Sequence, residues 1–316
     1  VEQVHRSFLE VGVDVIETDT FRSNRITLAE YGLQDQVVEI NRAAASLARR
    51  LADEFSTPEQ PRIEADSIGP SGKLPSMADP ELSDVGFSEL AQVFCEQALG
   101  LIQGGVDLLL IETSQDILEV KAAIAGIHQA FERSGVYLPV QAQVTLDTTG
   151  RMLLGTDIGA EQTILDGLAI DVIGMNCSTG PEHMREPIRY LGEQTNLPVS
   201  CIPNAGLPLN VDGQAVYPLE PQPFVEALAE FVEKNGISIV GGCCGTTPEH
   251  LKLLVETVGS KSHPPRPVLD VPRLASAIQV QPMLQEPRPF LIGERLNTQG
   301  SRKFKQLILE ERYDEI

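Results

Sequence analysis

Seven short runs rich in Val, Ile and Leu, separated by longer amphipathic stretches, occupy the chain between residues 13 and 259. They are VDVIETD (13–19), RIEADSI (62–68), DLLLIET (107–113), VQAQVTL (140–146), DVIGMNC (171–177), PVSCIPN (198–204) and ISIVGGC (237–243). Such runs predict strands, and the stretches between them have helical periodicity. In QPFVEALAEFVEKNG, Phe224, Val225, Leu228, Phe231 and Val232 share one helical face and Gly236 supplies a stop. Strict alternation of strand and helix requires parallel strands joined by crossovers.

Two parallel architectures compete, an open doubly wound sheet and an eight-fold barrel. The open sheet usually carries G-x-G-x-x-G after its first strand, and that motif is absent. GPSGK (69–73) invites a phosphate-loop reading, but Ser67 stands where the opening glycine belongs and Leu74 follows the lysine. Seven units over about 250 residues match an α/β fold of the (β/α)₈ TIM-barrel type, with its first strand missing from this segment. Residues 1–259 are therefore expected to form an N-terminally truncated barrel. Residues 260–287 carry six prolines and no sustained periodicity, which predicts a linker or a strapped-down connection. RPFLIGERLNTQG then gives a fresh strand, a polar loop and a helix, so residues 288–316 are expected to open a second barrel.

Both ends look cut. Val1, Val4, Phe8 and Leu9 already share a helical face with no cap before them, and at the far end Phe304, Leu307 and Ile308 lie on a face with no following partner. The expectation is an internal segment of a longer protein. Lys plus Arg number 24 against 45 Asp plus Glu, a formal charge of −21, which argues against nucleic-acid or anionic-membrane partners. No apolar run approaches the roughly 20 residues of a membrane span, and five cysteines are too few for a disulfide framework. A cytoplasmic setting is expected, with metal-binding or catalytic cysteines open.

In a barrel the reacting groups sit at the C-terminal strand ends. Those ends supply Glu17, Ser67, Glu112, Asp147, Cys177, Asn204, Cys243 and Cys244. Adjacent strand residues point to opposite faces, so Cys243 and Cys244 reach one site only if the strand ends there. Gly241, Gly242 and Gly245 permit that break, and Thr247-Pro248 then opens a helix as N-cap and first residue. Three thiolates converging on one point would make a zinc site with an open fourth position. The competing readings are small buried cysteines or a strained vicinal disulfide. His183 and His250, each six positions after a cysteine in a PEH helix start, are read as surface residues and not ligands. Cys95 reads as core and Cys201 as strand packing. Glu112 ends an apolar run, where a carboxylate is costly unless paired, which suits a substrate ammonium group. Glu17 and Ser67 are further substrate-side candidates, and Asp147, in TLDTTG, reads readily as a turn.

GGCCGTTPEHL, NCSTGPEHMREP, PNAGLP and VDVIETDTF together resemble the homocysteine methyltransferase domain, across residues 1 to about 259. The tail FLIGERLNTQGSRKFKQLI is similar to the start of the pterin-binding barrel that follows this domain in the cobalamin-dependent methionine synthases. Betaine- and S-methylmethionine-dependent relatives share the first barrel and lack the second. The resemblance implies Zn²⁺ on Cys177, Cys243 and Cys244, activating the thiol of homocysteine for methyl transfer from methylcobalamin to give methionine. It also implies cobalamin-binding and folate-binding modules of the same longer chain, outside this segment. The matching Glu of the family supports Glu112. The carbonyl of Asn204 would fill the resting fourth position, or Asn204 would cap the seventh loop. Two departures stand out: Asp19 replaces the family's usual Asn, and the first-strand turn is missing, so contacts made there have no counterpart in this sequence. The alternatives are a betaine- or S-methylmethionine-dependent transferase and a non-catalytic structural-zinc barrel.

Overall fold

The computed structural model describes residues 1–266, 271–290 and 296–315. Each of the seven apolar runs contains a strand: β1 (Val15–Glu17), β2 (Ile63–Ala65), β3 (Leu109–Ser114), β4 (Val140–Val144), β5 (Val172–Asn176), β6 (Val199–Ile202) and, after a hairpin, β9 (Ile239–Val240). Every pairing among them is parallel. β1 pairs with β2, and β3-β4-β5-β6-β9 form a five-stranded sheet in chain order. Isolated parallel bridges, Ala65 to Leu108 and Ile68 to Ile111, carry β2 onto β3. Each strand thus neighbours the one before it in sequence.

The helices between them are α1 (Glu2–Leu9), α2 (Arg25–Ala29), α3 (Val37–Phe55), α4 (Phe87–Gly104), α5 (Ile117–Ser134), α6 (Ile158–Asp166), α7 (Pro181–Gln194), α8 (Pro221–Asn235) and α9 (Pro248–Val258). In α8, Phe224, Val225, Leu228, Phe231 and Val232 are all buried, and Gly236 ends the helix at φ +69°. One apolar core fills the layer between strands and helices, with Leu51, Leu90, Phe94, Leu109, Ile111, Ile127 and Phe231 among its fully covered members. Gly12, just after α1, lies close to α9: a Cβ built there would sit 3.5 Å from Val255 Cγ1. Among the described residues no helix is long and apolar enough to cross a membrane.

One feature departs from expectation. The loop after β6 folds into an antiparallel hairpin, β7 (Leu209–Val211) with β8 (Gln214–Val216), turning at Asp212-Gly213 where both φ angles are positive. Asp-Gly between apolar residues is the sequence signature of such a turn. The proline-rich stretch after α9 is also partly structured. Arg273–Ala275 and Val280–Pro282 are short strands, and the Asp157 amide donates to the Ile278 carbonyl at 3.1 Å. That bond is backbone to backbone, so periodicity gave no sign of it.

The chain divides into two compact units, Val1–Asp270 with Ala275–Val280, and Val271–Leu274 with Gln281–Ile316. In the second, Ser301 caps a helix, α10 (Arg302–Leu309), through a bond from the Phe304 amide, and Leu307 is buried. The strand expected in PFLIGER falls largely on residues 291–295, outside the described residues.

Candidate metal centre and substrate site

Cys177, Cys243 and Cys244 come together. Their sulfurs all lie within 4.8 Å of one another. Cys244 Sγ is 3.9 Å from Cys177 Sγ and 3.9 Å from Cys243 Sγ. The edge of a tetrahedron built on metal–sulfur bonds of about 2.3 Å is about 3.8 Å, so the spacing suits a zinc-sized ion and excludes a sulfur–sulfur bond. All five cysteines are free. Cys95 and Cys201 are fully buried in the core, as their apolar neighbours imply.

Backbone geometry brings the three thiols together. β9 ends at Val240, and the Cys243 amide bonds to Pro203 O at 2.8 Å while Ala205 N bonds to Cys244 O at 2.9 Å. These bonds stitch the cysteine loop to the loop after β6. Gly242 is required by crowding, since a Cβ there would fall 2.4 Å from Thr246 Cγ2. Just after β5, Cys177 keeps a ladder bond to Ile202 O and the chain then turns sharply, with Cys177 at φ +61° and Ser178 at φ +62°. Left-handed non-glycine residues cost on the order of 1–3 kcal/mol each and persist where surrounding structure fixes them. Without metal, hydrogen bonds from Cys177 and Cys243 hold the Cys244 thiol far below its usual range, while its neighbour Cys243 is pushed far up by its bonds to Cys177 and Cys244.

Asn204 is buried, and both of its oxygens are engaged. Oδ1 accepts from the Cys244 amide at 3.1 Å and the backbone carbonyl accepts from Gly206 N at 2.7 Å. Its visible role is the capping one.

Glu112, in the second half of β3, is buried between two donors: the Ser67 hydroxyl to Oε1, and Asn176 Nδ2 to Oε2 at 2.9 Å. Burial raises its pKa, the Ser67 and Asn176 bonds oppose the rise, and the nearby Cys244 charge adds to it. Ser67 is fixed in turn by its amide bond to Thr18 Oγ1 and by the Thr20 hydroxyl on its carbonyl, at 3.0 and 2.8 Å. Glu17 lies on the open face of β1; surrounding protein first, then the Glu112 charge, raise its pKa. Asp147 is exposed and accepts from the Thr149 amide at 2.7 Å, a turn and not part of this cluster.

One expectation is corrected. His183 is exposed, but His250 is buried: Nδ1 meets the Thr247 hydroxyl at 2.9 Å and Nε2 the Leu219 carbonyl at 3.0 Å. A histidine at the third helical position can turn back onto the N-cap, closing a capping box, and so leave the solvent. It is neither a surface residue nor a member of the cysteine cluster. Asn176 was missed altogether. It lies one residue before Cys177 in DVIGMNC and bonds the Thr113 amide at 2.8 Å as well as Glu112. A buried amide beside a left-handed residue (Thr113, φ +58°) has no sequence signature of its own.

The homocysteine S-methyltransferase family model matches residues 1–258. The chain is similar to methionine synthase of Mycobacterium tuberculosis, 41% identical over 313 residues, 99% of this chain and 26% of that protein. The Mycobacterium leprae methionine synthase is 40% identical over 318 residues, again 26% of its length, so the chain spans about a quarter of these relatives. Among solved structures it resembles the metallated homocysteine methyltransferase MmuM from Escherichia coli, with a TM-score of 0.65 at 19% identity, covering 80% of this chain and 82% of that one. That likeness concerns the fold, in which parallel strands follow one another around the site. With a family match across all seven parallel strands and the cysteine cluster that follows them, this chain belongs to the homocysteine S-methyltransferase family.

Proposed function

We propose that this chain is the homocysteine-activating part of a cobalamin-dependent methionine synthase, and that its seven parallel strands are those of a (β/α)₈ barrel. The observation that carries the reading is the sulfur triangle of Cys177, Cys243 and Cys244, with two edges of 3.9 Å and all three sulfurs within 4.8 Å, a spacing that suits a tetrahedral ion with one position left for a ligand. These residues would hold Zn²⁺. The chemistry zinc supplies when bound is to keep the thiol of homocysteine deprotonated and nucleophilic at neutral pH.

The chain's own residues bind and orient the substrate. Glu112, set by Ser67 and Asn176, offers a carboxylate to the substrate ammonium. The pairing favours its charged form and so offsets the cost of its burial. Glu17 adds a second acidic group on the same side. Ser67 orients Glu112 through its hydroxyl. Asn204 fixes the Cys244 amide, with its side-chain oxygen turned to that donor, so the fourth position is left to substrate. Methylcobalamin, carried by a cobalamin-binding module of a longer chain that also has folate-binding modules, is the proposed methyl donor, and the setting is cytoplasmic.

The test is metal analysis with X-ray absorption, with and without homocysteine. About one zinc per chain is expected, with a shell that changes from three sulfurs and one lighter atom to four sulfurs. A shell that stays at three sulfurs under saturating homocysteine would leave only structural zinc. A requirement for added corrinoid separates the cobalamin reading from betaine or S-methylmethionine donors.

A further inference from the structure

Just beyond β1, in the ETDTF run, Thr18 and Thr20 are buried while Asp19 between them is exposed. The two threonine hydroxyls meet at 2.6 Å. Both also hold Ser67, in the loop after β2: its amide donates to Thr18 Oγ1 at 3.0 Å, and the Thr20 hydroxyl donates to its carbonyl at 2.8 Å. A carbonyl only accepts, so the single Thr20 proton is committed there, and in the contact between the threonines Thr18 is the donor. The result is a closed ring in which every bond runs the same way, from Thr18 to Thr20, on to the Ser67 carbonyl, and from the Ser67 amide back to Thr18. Aligned bonds of this kind reinforce one another. The Ser67 hydroxyl stays outside the ring and goes to Glu112 Oε1. Backbone contacts anchor the ring as well: Gln97 Nε2 donates to the Thr20 carbonyl at 2.9 Å, and the Thr18 amide to Ala65 O at 3.0 Å.

Resting on the reading of Glu112 as the partner of the homocysteine ammonium, we propose that Thr18 and Thr20 are positioning residues for that acid, acting through Ser67. The ring grips Ser67 at its N–H and at its C=O, which sets the direction of its side chain. The hydroxyl then holds Glu112 Oε1 while Asn176 holds Oε2. A carboxylate fixed at both oxygens loses little further freedom on meeting an ammonium, so less of the binding free energy goes into ordering it. Removing either threonine hydroxyl opens the ring. Without the Thr20 hydroxyl, the Ser67 carbonyl and the Thr18 hydroxyl both lack a partner in a buried place, and such groups reorient to find another. Ser67 is then free to turn away from Glu112. The loss falls on recognition of the ammonium and spares the substrate sulfur, which the cysteine cluster serves.

The test compares two thiols by calorimetry on the zinc-loaded full chain: homocysteine, and 4-mercaptobutyrate, which lacks only the amino group. The wild-type chain should prefer homocysteine about tenfold or more, and Glu112→Ala should abolish the preference. In Thr20→Val, which keeps the shape and removes the hydroxyl, the preference should shrink about fivefold, as for a residue that acts through another. Binding of 4-mercaptobutyrate and zinc content should hold. Thr18→Val breaks the ring at a different bond and should do the same, whereas Thr20→Ser keeps the hydroxyl and should restore the preference. Thr27→Val removes a buried hydroxyl from α2 that is bonded to the Arg22 and Asn24 carbonyls, and should leave the preference unchanged whatever it does to stability. Circular dichroism identifies the folded variants. An unchanged preference, or equal weakening of both thiols, in folded Thr20→Val or Thr18→Val would overturn the proposal and leave the role of Glu112 standing. A wild-type chain that binds the two thiols alike, or a Glu112→Ala chain that keeps the preference, would overturn the reading of Glu112 and the proposal with it.

Discussion

Asn176 at the end of β5 and Glu112 on β3, two strands apart in the sheet, are joined by a hydrogen bond of 2.9 Å, the amide donating to Oε2. The same amide's oxygen accepts from the Thr113 backbone at 2.8 Å, so one buried side chain holds both the acid and the strained residue beside it. Asn176→Ala leaves those groups without partners, which costs about 1–3 kcal/mol. Urea unfolding should register that loss, and a loss below about 0.5 kcal/mol would mean that solvent replaces the amide.

Replacing the acid itself separates substrate binding from metal binding. Glu112→Ala should weaken homocysteine binding at least about tenfold, since a buried partner for an ammonium is lost. The four-sulfur shell at saturating homocysteine should stay intact. A shell reduced to three sulfurs would place Glu112 in metal binding instead.

Cysteine replacements divide the five thiols into two groups. Ser at 177, 243 or 244 should remove most of the zinc, because each supplies one of few ligands. Cys95→Ser and Cys201→Ser bury a hydroxyl in the core and should lower stability while zinc content holds. Full zinc retention in Cys243→Ser would rule the triangle out as the binding site.

His250 makes a complementary control. Its bonds to Thr247 and Leu219 cap α9, so His250→Ala should cost about 1–2 kcal/mol in thermal or urea unfolding. Zinc content should not change. Loss of zinc from a folded His250→Ala protein would show that the cap also sets the ligand loop.

Stability should fall as pH rises from 5 to 8. Glu64 has both carboxylate oxygens buried and unpartnered, and burial pushes its pKa up to about 8 against the opposing pull of Arg49, with Asp107 and Asp53 adding to the rise. Burial likewise pushes Glu119 to about 7, its bonds from Ser71 opposing. A carboxyl raised in the folded state contributes stability fully below its unfolded pKa of about 4.3 and loses it as pH climbs through the folded value. Glu64→Gln should flatten the slope between pH 5 and 7 by up to about 1.4 kcal/mol per pH unit. An unchanged slope would assign the dependence to other acids.

The strands were legible because each is a short Val, Ile and Leu run with a buried helix face beside it, and the cysteines because they stand at strand ends. Glu112 was legible through its position at the end of DLLLIE. Other features leave weaker traces. The Asp212-Gly213 hairpin has a clear turn signal, but its strands are short and exposed and lie inside the unit between β6 and α8, where no apolar run marks them. Asn176 acts through contacts between segments far apart in sequence, and local spacing does not encode such contacts. His250 misled because a helix start usually faces water, whereas here Leu219 lies across it. Ser71 of the GPSGK loop turns its amide to Glu119, a carboxylate where a phosphate loop would present that donor to an anion.

Because each strand pairs with its predecessor, the sheet can grow unit by unit as the chain leaves the ribosome, with little delay for distant closure. The sulfur cluster does not follow that order. Cys177 emerges with β5, but its two partners arrive only after β9, so the metal pocket is complete only when the final unit has docked. Metal capture would then act as a late check on assembly, sealing chains whose last unit is seated and passing over those still growing.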